Sequence, residues 1–328
     1  MNPTVAVAFT PAPAKQNPNL RQTNDAAALS VYYRAMFVTF ASTRRWNPDV
    51  SLVLISDVAI PQPFFRLIED LGVRSQPFPF AHRPPPGFWP TFNASLYMLD
   101  AMNYLAHSGD KPILLLDPDI VCIRSLQSVF DRIDDTSILA YPTGFPVEER
   151  SQGISAIEAS VIHNALDPTL TSNPVHYGGE FYGFTPSGIA PVLARAEDAW
   201  RYGLKCWQNG ERYLVTEEHL LNYALRRASV RDAGMHVKRI WTAPTYRTVS
   251  GDESDLALWH LPSEKDRGFK RLAACASDQQ SWFWRASEQD FIGRVGVITG
   301  VSRRRLGRLA YDFGGNLARR AQRLVRGA

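Results

Sequence analysis

The sequence of 328 residues is poor in cysteine and has no long apolar run. Its three cysteines, Cys122, Cys206 and Cys275, lie far apart, without the spacing of a disulfide framework or of a cysteine metal site. No stretch approaches the ~18 apolar residues that a membrane-spanning helix requires. The amino terminus lacks the basic region of a secretory signal, because residues 1–4 lead directly into a short apolar run. We therefore expect a protein of a reduced, cytosolic compartment.

Positive charge is also scarce outside the end of the chain. Residues 302–328 contain eight arginines and one acid, Asp312, for a local net charge of +7, whereas the whole chain has a net charge of +4. Residues 1–301 therefore have a net charge of −3. The sequence pI of about 9.0 reflects this tail, and we expect no nucleic acid partner for the body of the protein.

The first part of the sequence alternates between strand patterns and helix patterns. Strands are predicted at residues 5–10, 51–56 and 73–80, and helices at residues 25–45 and 61–71. The predicted buried face of the first helix contains Tyr32, Met36, Phe37 and Phe40. This order of elements is typical of a mostly parallel sheet with helices on its faces.

The same alternation continues along the chain. A helix is predicted at residues 89–106, followed by strands at residues 113–121 and 137–141. We expect a single α/β domain over residues 1–285 and a basic amphipathic segment over residues 286–328.

Two carboxylates, Asp117 and Asp119, follow a buried strand pattern. The four aliphatic residues before them predict a strand buried on both faces, which ends at the edge where open α/β sheets bind ligands. Carboxylates are hard oxygen ligands, suited to a divalent ion that keeps open positions for phosphates. Pro118 between them predicts a rigid, irregular turn. A solvated Asp-Pro turn at a strand end is the alternative interpretation.

Two downstream segments place polar or glycine residues where ligands bind. Gly178 and Gly179, within an aromatic strand pattern, indicate either close approach of the backbone to a ligand or a bulged hairpin corner. Thr216 is a predicted N-cap that places Glu217 and Glu218 in the first turn of a helix. Glutamates at this position also stabilise helices without any functional role.

A histidine and a lysine follow the last predicted strand. His260 ends the apolar run, and Lys265 follows five residues later. This arrangement combines an imidazole metal ligand with a cation for phosphate. A purely structural histidine at a strand end is the alternative interpretation.

The order of these segments resembles that of GT-A glycosyltransferases, which have a Rossmann-like, mixed and mostly parallel sheet flanked by helices. Asp117-Pro118-Asp119 matches the D-x-D pair of that fold, which holds a divalent ion on the diphosphate of a nucleotide sugar. The resemblance implies that Asp117 and Asp119 bind Mn²⁺ or Mg²⁺. It also implies that a nucleotide-sugar donor lies over Phe9 and Thr10, at the end of the first strand.

The region of His260 and Lys265 resembles the H-x-x-G-x-x-K-P-W region of the glycogenin and bacterial lipopolysaccharide galactosyltransferase family, family 8. In that family the histidine is a third metal ligand and the lysine contacts phosphate. The sequence lacks the glycine and the Pro-Trp pair of that region, and its lysine lies one position earlier.

Two further segments resemble the blood-group and α-1,3-galactosyltransferase family, family 6. Residues 178–183 resemble its Gly-Gly-Phe-Phe-Gly-Gly strand, which implies that Gly178 and Gly179 lie beside the donor sugar. Residues 216–220 resemble its Asp-Glu-Ser-His-Leu segment, which implies Glu217 as the catalytic carboxylate and Glu218 as a second catalytic residue next to it.

These resemblances imply a metal-dependent transferase that moves a hexose from a nucleotide sugar, UDP-linked, to a glycan or glycolipid hydroxyl with retention of configuration. Glu217 would act as a nucleophile or as a carboxylate that shields an oxocarbenium-like centre. A binding protein of the same fold without catalysis is one alternative. A nucleotidyltransferase is another, but its usual glycine-rich phosphate loop is absent from Thr10-Pro11-Ala12-Pro13.

The basic tail, residues 302–328, supports two interpretations. Its apolar residues recur at three- and four-residue spacing between the arginines, as in a helix that lies on a membrane surface. That interpretation places the protein on the inner face of a membrane and suits a lipid-linked acceptor. The other interpretation is a solvated basic helix that packs its leucines on the body of the protein.

Overall fold

The computed structural model describes residues 2–20, 24–171, 174–243 and 246–302. The described strands are β1 (Thr4–Phe9), β2 (Ser51–Ser56), β3 (Val73–Pro77), β4 (Ile113–Leu116), β5 (Ile120–Cys122), β6 (Ile138–Pro142), β7 (Arg150–Ser151), β8 (Ile154–Ser155), β9 (Tyr177–Phe184), β10 (Val230–Asp232), β11 (Val237–Arg239), β12 (Thr242–Ala243), β13 (Tyr246–Arg247) and β14 (Leu258–His260). The α-helices are α1 (Asp25–Trp46), α2 (Phe64–Glu69), α3 (Tyr97–Leu105), α4 (Gln127–Phe130), α5 (Ala156–Leu166), α6 (Pro186–Gln208), α7 (Glu217–Leu225), α8 (Gly268–Ala276), α9 (Trp282–Arg285) and α10 (Glu288–Thr299). Short 3₁₀ helices lie at Ala14–Gln16, Asn93–Leu96, Glu253–Asp255 and Pro262–Glu264.

The central sheet has seven strands in the order β10-β6-β9-β4-β1-β2-β3. All neighbouring pairs are parallel except the two that β9 forms with β4 and β6. The carboxyl ends of β1, β2 and β4 therefore meet at one edge. The predicted α/β class with a mixed, mostly parallel sheet is confirmed.

A smaller sheet, β11-β14-β5, continues from that edge. Only the three residues of the Asp-Pro-Asp turn lie between the end of β4 and the start of β5, so this turn joins the two sheets. Strand β14 pairs antiparallel with β5 and places His260 opposite Ile120. The Asp-Pro-Asp turn thus lies at the junction of the two sheets.

Helices cover both faces of the central sheet. Successive residues of a strand point to opposite faces of the sheet. Val5 of β1 and Leu114 of β4 therefore belong to one apolar cluster, and the next residues, Ala6 and Leu115, belong to the other. Helices α1, α8 and α10 pack on the first face, and α3, α6 and α7 on the second. Burial on both faces explains why these strands are almost entirely apolar.

Two helix predictions need correction. The helix predicted at residues 89–106 begins only at Tyr97, after the 3₁₀ turn Asn93–Leu96, because Phe92 has a left-handed backbone with φ 55°. The helix predicted at residues 61–71 is limited to Phe64–Glu69.

The predicted buried face of α1 also needs one correction. Met36, Phe37 and Phe40 are buried as predicted, but Tyr32 is only half-buried and lines a cavity. Its hydroxyl donates to Asn17 Oδ1 at 2.9 Å.

Part of the predicted C-terminal segment, 286–328, is described. Helix α10 packs on the first face through Phe291 and Val295, which are fully buried. Residues 303–328, on which the tail prediction depends, lie outside the described residues. In the described ranges, no helix has the length and apolar character to cross a bilayer.

Candidate active site

A cavity of about 350 Å³ opens at the carboxyl ends of β1 and β4. Nine of the predicted site residues line it: Phe9, Thr10, Asp117, Asp119, Gly179, Glu217, Glu218, His260 and Lys265. The tenth, Gly178, is not part of the lining that the described residues form. The fold therefore brings residues from five separate segments of the chain into one cavity.

Asp117, Asp119 and His260 form the acidic end of this cavity. One ligand atom from each lies within 4.8 Å of the others. His260 Nε2 is 3.2 Å from Asp119 Oδ2 and 3.7 Å from Asp117 Oδ2. Asp119 and His260 are buried, and Asp117 is partly exposed to the cavity.

Backbone contacts hold the Asp-Pro-Asp turn from both sides. The Asp117 N–H donates to the Glu180 carbonyl on β9, and the Leu261 N–H donates to the Asp119 carbonyl, each at 3.0 Å. The hydroxyl of Thr39, on α1, lies 2.7 Å from the carbonyl oxygen of Pro118. Because these contacts come from three elements, the two carboxylates have fixed positions.

Lys265 lies at the same end of the cavity. Its Nζ atom is 2.5 Å from Asp119 Oδ2 and 5.8 Å from the centre of the Tyr32 ring. Burial alone would raise the pKa of Asp119, but Lys265 and His260 hold it well below its usual range. Burial and the charge of Asp119 raise the pKa of Asp117 to about 7.

Glu180 and Arg239 form a buried ion pair behind the triad. Arg239 Nε donates to Glu180 Oε1 at 2.7 Å, and the same oxygen lies 3.2 Å from His260 Nδ1. Burial alone would raise the pKa of Glu180, but Arg239 and His260 lower it to about 2. Burial alone would lower the pKa of His260, but Asp119 and Glu180 raise it to about 9. The imidazole is thus held between two carboxylates.

The two glutamates at the start of α7 have different surroundings. Glu218 contacts Arg239 Nη2 at 3.1 Å, accepts from the Gly179 N–H at 3.0 Å and is bonded to His176. Arg239 and His176 hold the pKa of Glu218 well below its usual range, although burial opposes them. Glu217 has none of these partners, and its Oε2 atom has no hydrogen-bond partner within the described part of the chain.

The environment of Glu217 disfavours its charged form. Burial, together with the charges of Glu218 and Asp117, raises the pKa of Glu217 to about 8. Thr216 precedes the helix as predicted, but its hydroxyl lies 3.1 Å from His219 Nδ1 and does not cap the backbone. Glu217 therefore faces the cavity beside Ser95, which opposes this rise in pKa, and has no ion-pair partner among the described residues.

The paired glycines make room for these acids. A Cβ atom at Gly179 would lie 2.6 Å from Glu217 Oε1, which is closer than real contacts allow. A Cβ at Gly178 would collide with Glu180 and would lie 2.6 Å from Arg239 Nη2. A side chain at either position would therefore displace one of these neighbouring side chains.

The end of β1 forms another wall of the cavity. Phe9 and Thr10 are both buried there. The Thr10 hydroxyl has no hydrogen-bond partner among the residues that the structure describes. Such a hydroxyl is available to a polar group of a ligand.

Glu180 and Arg239 were not found from the sequence. Glu180 stands in an aromatic strand, and its partner Arg239 is 59 positions away, so no local pattern joins them. A charged residue within a fully buried strand is the one sequence feature that points to such a pair.

The triad fits a divalent cation. Two carboxylates and an imidazole converge on one point, and the second ring nitrogen of His260 is held by Glu180, as is usual for metal-ligating histidines. Carboxylate oxygens suit Mg²⁺ and Mn²⁺. To bind such a cation through Nε2, the protonated imidazole would first have to lose the proton on that nitrogen.

No protein-family model matches the chain, and no curated protein matches its sequence significantly. Solved structures match it at low identity. The bifunctional glycosyltransferase WbbM is 9% identical with a TM-score of 0.54, over 88% of this chain and 51% of that one. The chain thus spans about half the length of WbbM.

Two smaller glycosyltransferases match over nearly their whole length. An active-site mutant of LgtC is 14% identical with a TM-score of 0.50, over 86% of this chain and 99% of that one. Mouse xyloside xylosyltransferase 1 is 11% identical with a TM-score of 0.50, over 79% of this chain and 97% of that one. The chain therefore has a GT-A glycosyltransferase fold that resembles family 8.

Proposed function

We propose that the protein is a metal-dependent glycosyltransferase. It moves a hexose from a nucleotide sugar, with UDP as the nucleotide, to a hydroxyl of a glycan or glycolipid acceptor, and it retains the anomeric configuration. The observation that supports this most is the pairing of the Asp117, Asp119 and His260 triad with a separate acid, Glu217, in one cavity of a GT-A sheet edge.

Asp117, Asp119 and His260 hold Mn²⁺ or Mg²⁺ in this proposal. The imidazole ligand favours Mn²⁺, which is the softer of the two ions. When bound, the ion acts as a Lewis acid that stabilises charge on the departing diphosphate. Lys265, whose ammonium lies 2.5 Å from Asp119, is placed to contact the same phosphates.

The nucleotide and the sugar occupy opposite parts of the cavity. Phe9 and the unpaired hydroxyl of Thr10 contact the nucleoside at the end of β1. The sugar lies beside Gly179, which lines the cavity, and Gly178 stands next to it against the side chains of Glu180 and Arg239.

Glu217 is the group that faces the anomeric carbon. It is the acid of the pair without ion-pair partners, and once it has lost its proton it acts as a nucleophile or shields an oxocarbenium-like centre. Glu218 is held by Arg239, His176 and the Gly179 N–H. We assign Glu218 the role of orienting the start of α7.

The stereochemistry of the product tests this proposal. Proton NMR of the product formed from a UDP-sugar donor reports the coupling constant of the new anomeric proton. We expect the configuration of the donor to be retained. An inverted linkage would contradict the assignment of Glu217 and the retaining mechanism.

The tail, residues 302–328, is proposed to bind the inner surface of a membrane, where a glycolipid acceptor would be found. Its net charge of +7 favours anionic lipids. Deletion of residues 302–328 should release the protein from vesicles that contain anionic phospholipid. Equal binding of the full and truncated chains would reject membrane attachment through the tail.

A further inference from the structure

Two cavity residues have a strained backbone. Among the described residues, Phe92 with φ 55° and Gln152 with φ 50° are the non-glycine residues with positive φ, and both line the cavity. A left-handed conformation is uncommon for residues with a Cβ, and it persists only where the surroundings enforce it. Strained residues of this kind cluster at ligand-binding sites.

Gln152 stands at the tip of the hairpin between β7 and β8. The two residues of the turn, Gln152 and Gly153, have φ 50° and 86°, as in a type I′ turn. Asn-Gly is the relaxed choice for such a turn, because asparagine tolerates this conformation better than other side chains. The glutamine side chain is one methylene longer than that of asparagine, so its amide reaches farther from the backbone at the cavity wall.

The hairpin is fastened beside Glu217. The Ser151 hydroxyl donates to Glu218 Oε1 at 3.2 Å, and the Ser151 carbonyl lies 3.1 Å from His219 Nε2. Both partners belong to the first turn of α7, which also contains Glu217. The hairpin that carries Gln152 is therefore attached to the helix turn that carries Glu217.

Phe92 lies on a second segment that hydrogen bonds hold in place, and this segment precedes α3. Its N–H donates to the Gln16 carbonyl at 2.9 Å. Ten residues before Phe92, the His82 ring forms hydrogen bonds with Asp100 at 2.8 Å and with Glu197 at 2.7 Å. These bonds connect the segment to α3 and α6.

The two segments touch each other. A Cβ atom at Gly153 would lie 2.8 Å from the Trp89 ring, so Trp89 packs directly on the hairpin tip. Phe92 and Gln152, which both line the cavity, thus belong to two segments that pack against each other, and we call these two residues the rim.

We infer that this rim, Phe92 and Gln152, is the acceptor subsite and takes a neutral sugar. The inference rests on the proposed transferase function. The Gln152 amide both donates and accepts hydrogen bonds, as sugar hydroxyls require, and the Phe92 ring offers an apolar surface to the C–H face of a pyranose. Neither Gln152 nor Phe92 carries a charge, so this rim offers no cation to a phosphate or carboxylate group of an acceptor.

Acceptor kinetics test the subsite. The wild type is assayed with the UDP-sugar that it turns over, and with p-nitrophenyl glycosides of neutral hexoses and hexose 6-phosphates as acceptor probes. In Gln152→Gly the turn geometry is kept, because glycine adopts φ 50° without strain, but the amide is lost. We expect the acceptor KM to rise at least about tenfold, as for loss of a site hydrogen bond, while the affinity for UDP measured by calorimetry changes less than about twofold.

Three further variants complete the design. Gln152→Asn keeps an amide in a favoured turn residue and should give an intermediate acceptor KM. Phe92→Ala should also raise the acceptor KM, because the apolar surface is lost. Gln76→Ala removes a half-buried glutamine of β3 that does not line the cavity, and it should leave both constants as in the wild type.

Three results would overturn the inference: an unchanged acceptor KM in Gln152→Gly, a matching loss of UDP affinity, or transfer only to the phosphorylated glycosides. Hydrolysis of the donor without transfer to any neutral glycoside would also contradict it. If the wild type turns over no nucleotide sugar, the proposed function itself fails, and the subsite falls with it.

Discussion

The Nδ1 atom of His260 lies 3.2 Å from Oε1 of Glu180, so a buried carboxylate stands behind the imidazole of the metal triad. This contact leaves Nε2 directed at Asp119. A carboxylate in this position fixes the ring orientation and increases the basicity of a ligating histidine. In the proposed metal site, Glu180 therefore orients a ligand without itself contacting the ion.

Glu180→Gln should weaken metal binding. Loss of the carboxylate removes the charge that orients and polarises His260, and a change of this kind costs about 10- to 100-fold in metal affinity. The affinity for Mn²⁺ in the presence of UDP is measured by calorimetry or by electron paramagnetic resonance. Glu253→Gln is the matched control, because Glu253 is equally buried and paired, with Lys238, but does not line the cavity. Equal affinities in both variants would show that Glu180 does not support the site.

Gly179→Ala should impair catalysis without unfolding the protein. The added Cβ would lie 2.6 Å from Glu217 Oε1 and would displace that side chain. A displacement of about 1 Å at a reacting group lowers turnover on the order of 100-fold. The control is Gly293→Ala in α10, where a Cβ meets no atom within 4 Å. We expect kcat to fall only in Gly179→Ala, and similar kcat values for the two variants would contradict the close approach.

Glu217→Gln should stabilise the protein more at high pH than at low pH. The carboxyl has an ordinary pKa of 4.5, and the folded protein raises it to about 8. As the pH rises between these values, the unfolded chain loses this proton first, so the free energy of unfolding decreases. Glutamine removes that loss, and the variant should gain at least about 3 °C in Tm relative to the wild type at pH 8.5, but little at pH 4.5.

The control for this pH dependence is Glu69→Gln, at an exposed glutamate of α2. Its difference in Tm from the wild type should be the same at both pH values. A Glu217→Gln difference that is likewise independent of pH would mean that the folded protein does not hold this acid in its neutral form.

The sequence predicted the triad because each part of it has a local pattern. Asp117 and Asp119 follow four buried aliphatic residues, and His260 ends another apolar strand. Parallel strands with ends at one edge then bring such residues together. The alternation of strand and helix patterns predicted the mostly parallel sheet in the same way.

The supporting residues have no such local pattern. Glu180 and Arg239 are paired across 59 positions, and only the folded chain brings them together. Phe92 and Gln152 differ from ordinary residues in their backbone dihedrals, which the sequence does not encode locally. The same strain at Phe92 explains why the helix predicted from residue 89 begins later.

Metal-dependent turnover of a nucleotide sugar tests the central claim most directly. A panel of UDP- and GDP-sugars is assayed for hydrolysis with Mn²⁺, with EDTA, and in Asp119→Ala and Asp119→Asn, the second of which preserves the shape of this buried side chain. We predict turnover of at least one UDP-sugar that EDTA abolishes and that both variants lower on the order of 100-fold. Turnover that persists in EDTA and in both folded variants, or no turnover of any nucleotide sugar by the wild type, would contradict the account.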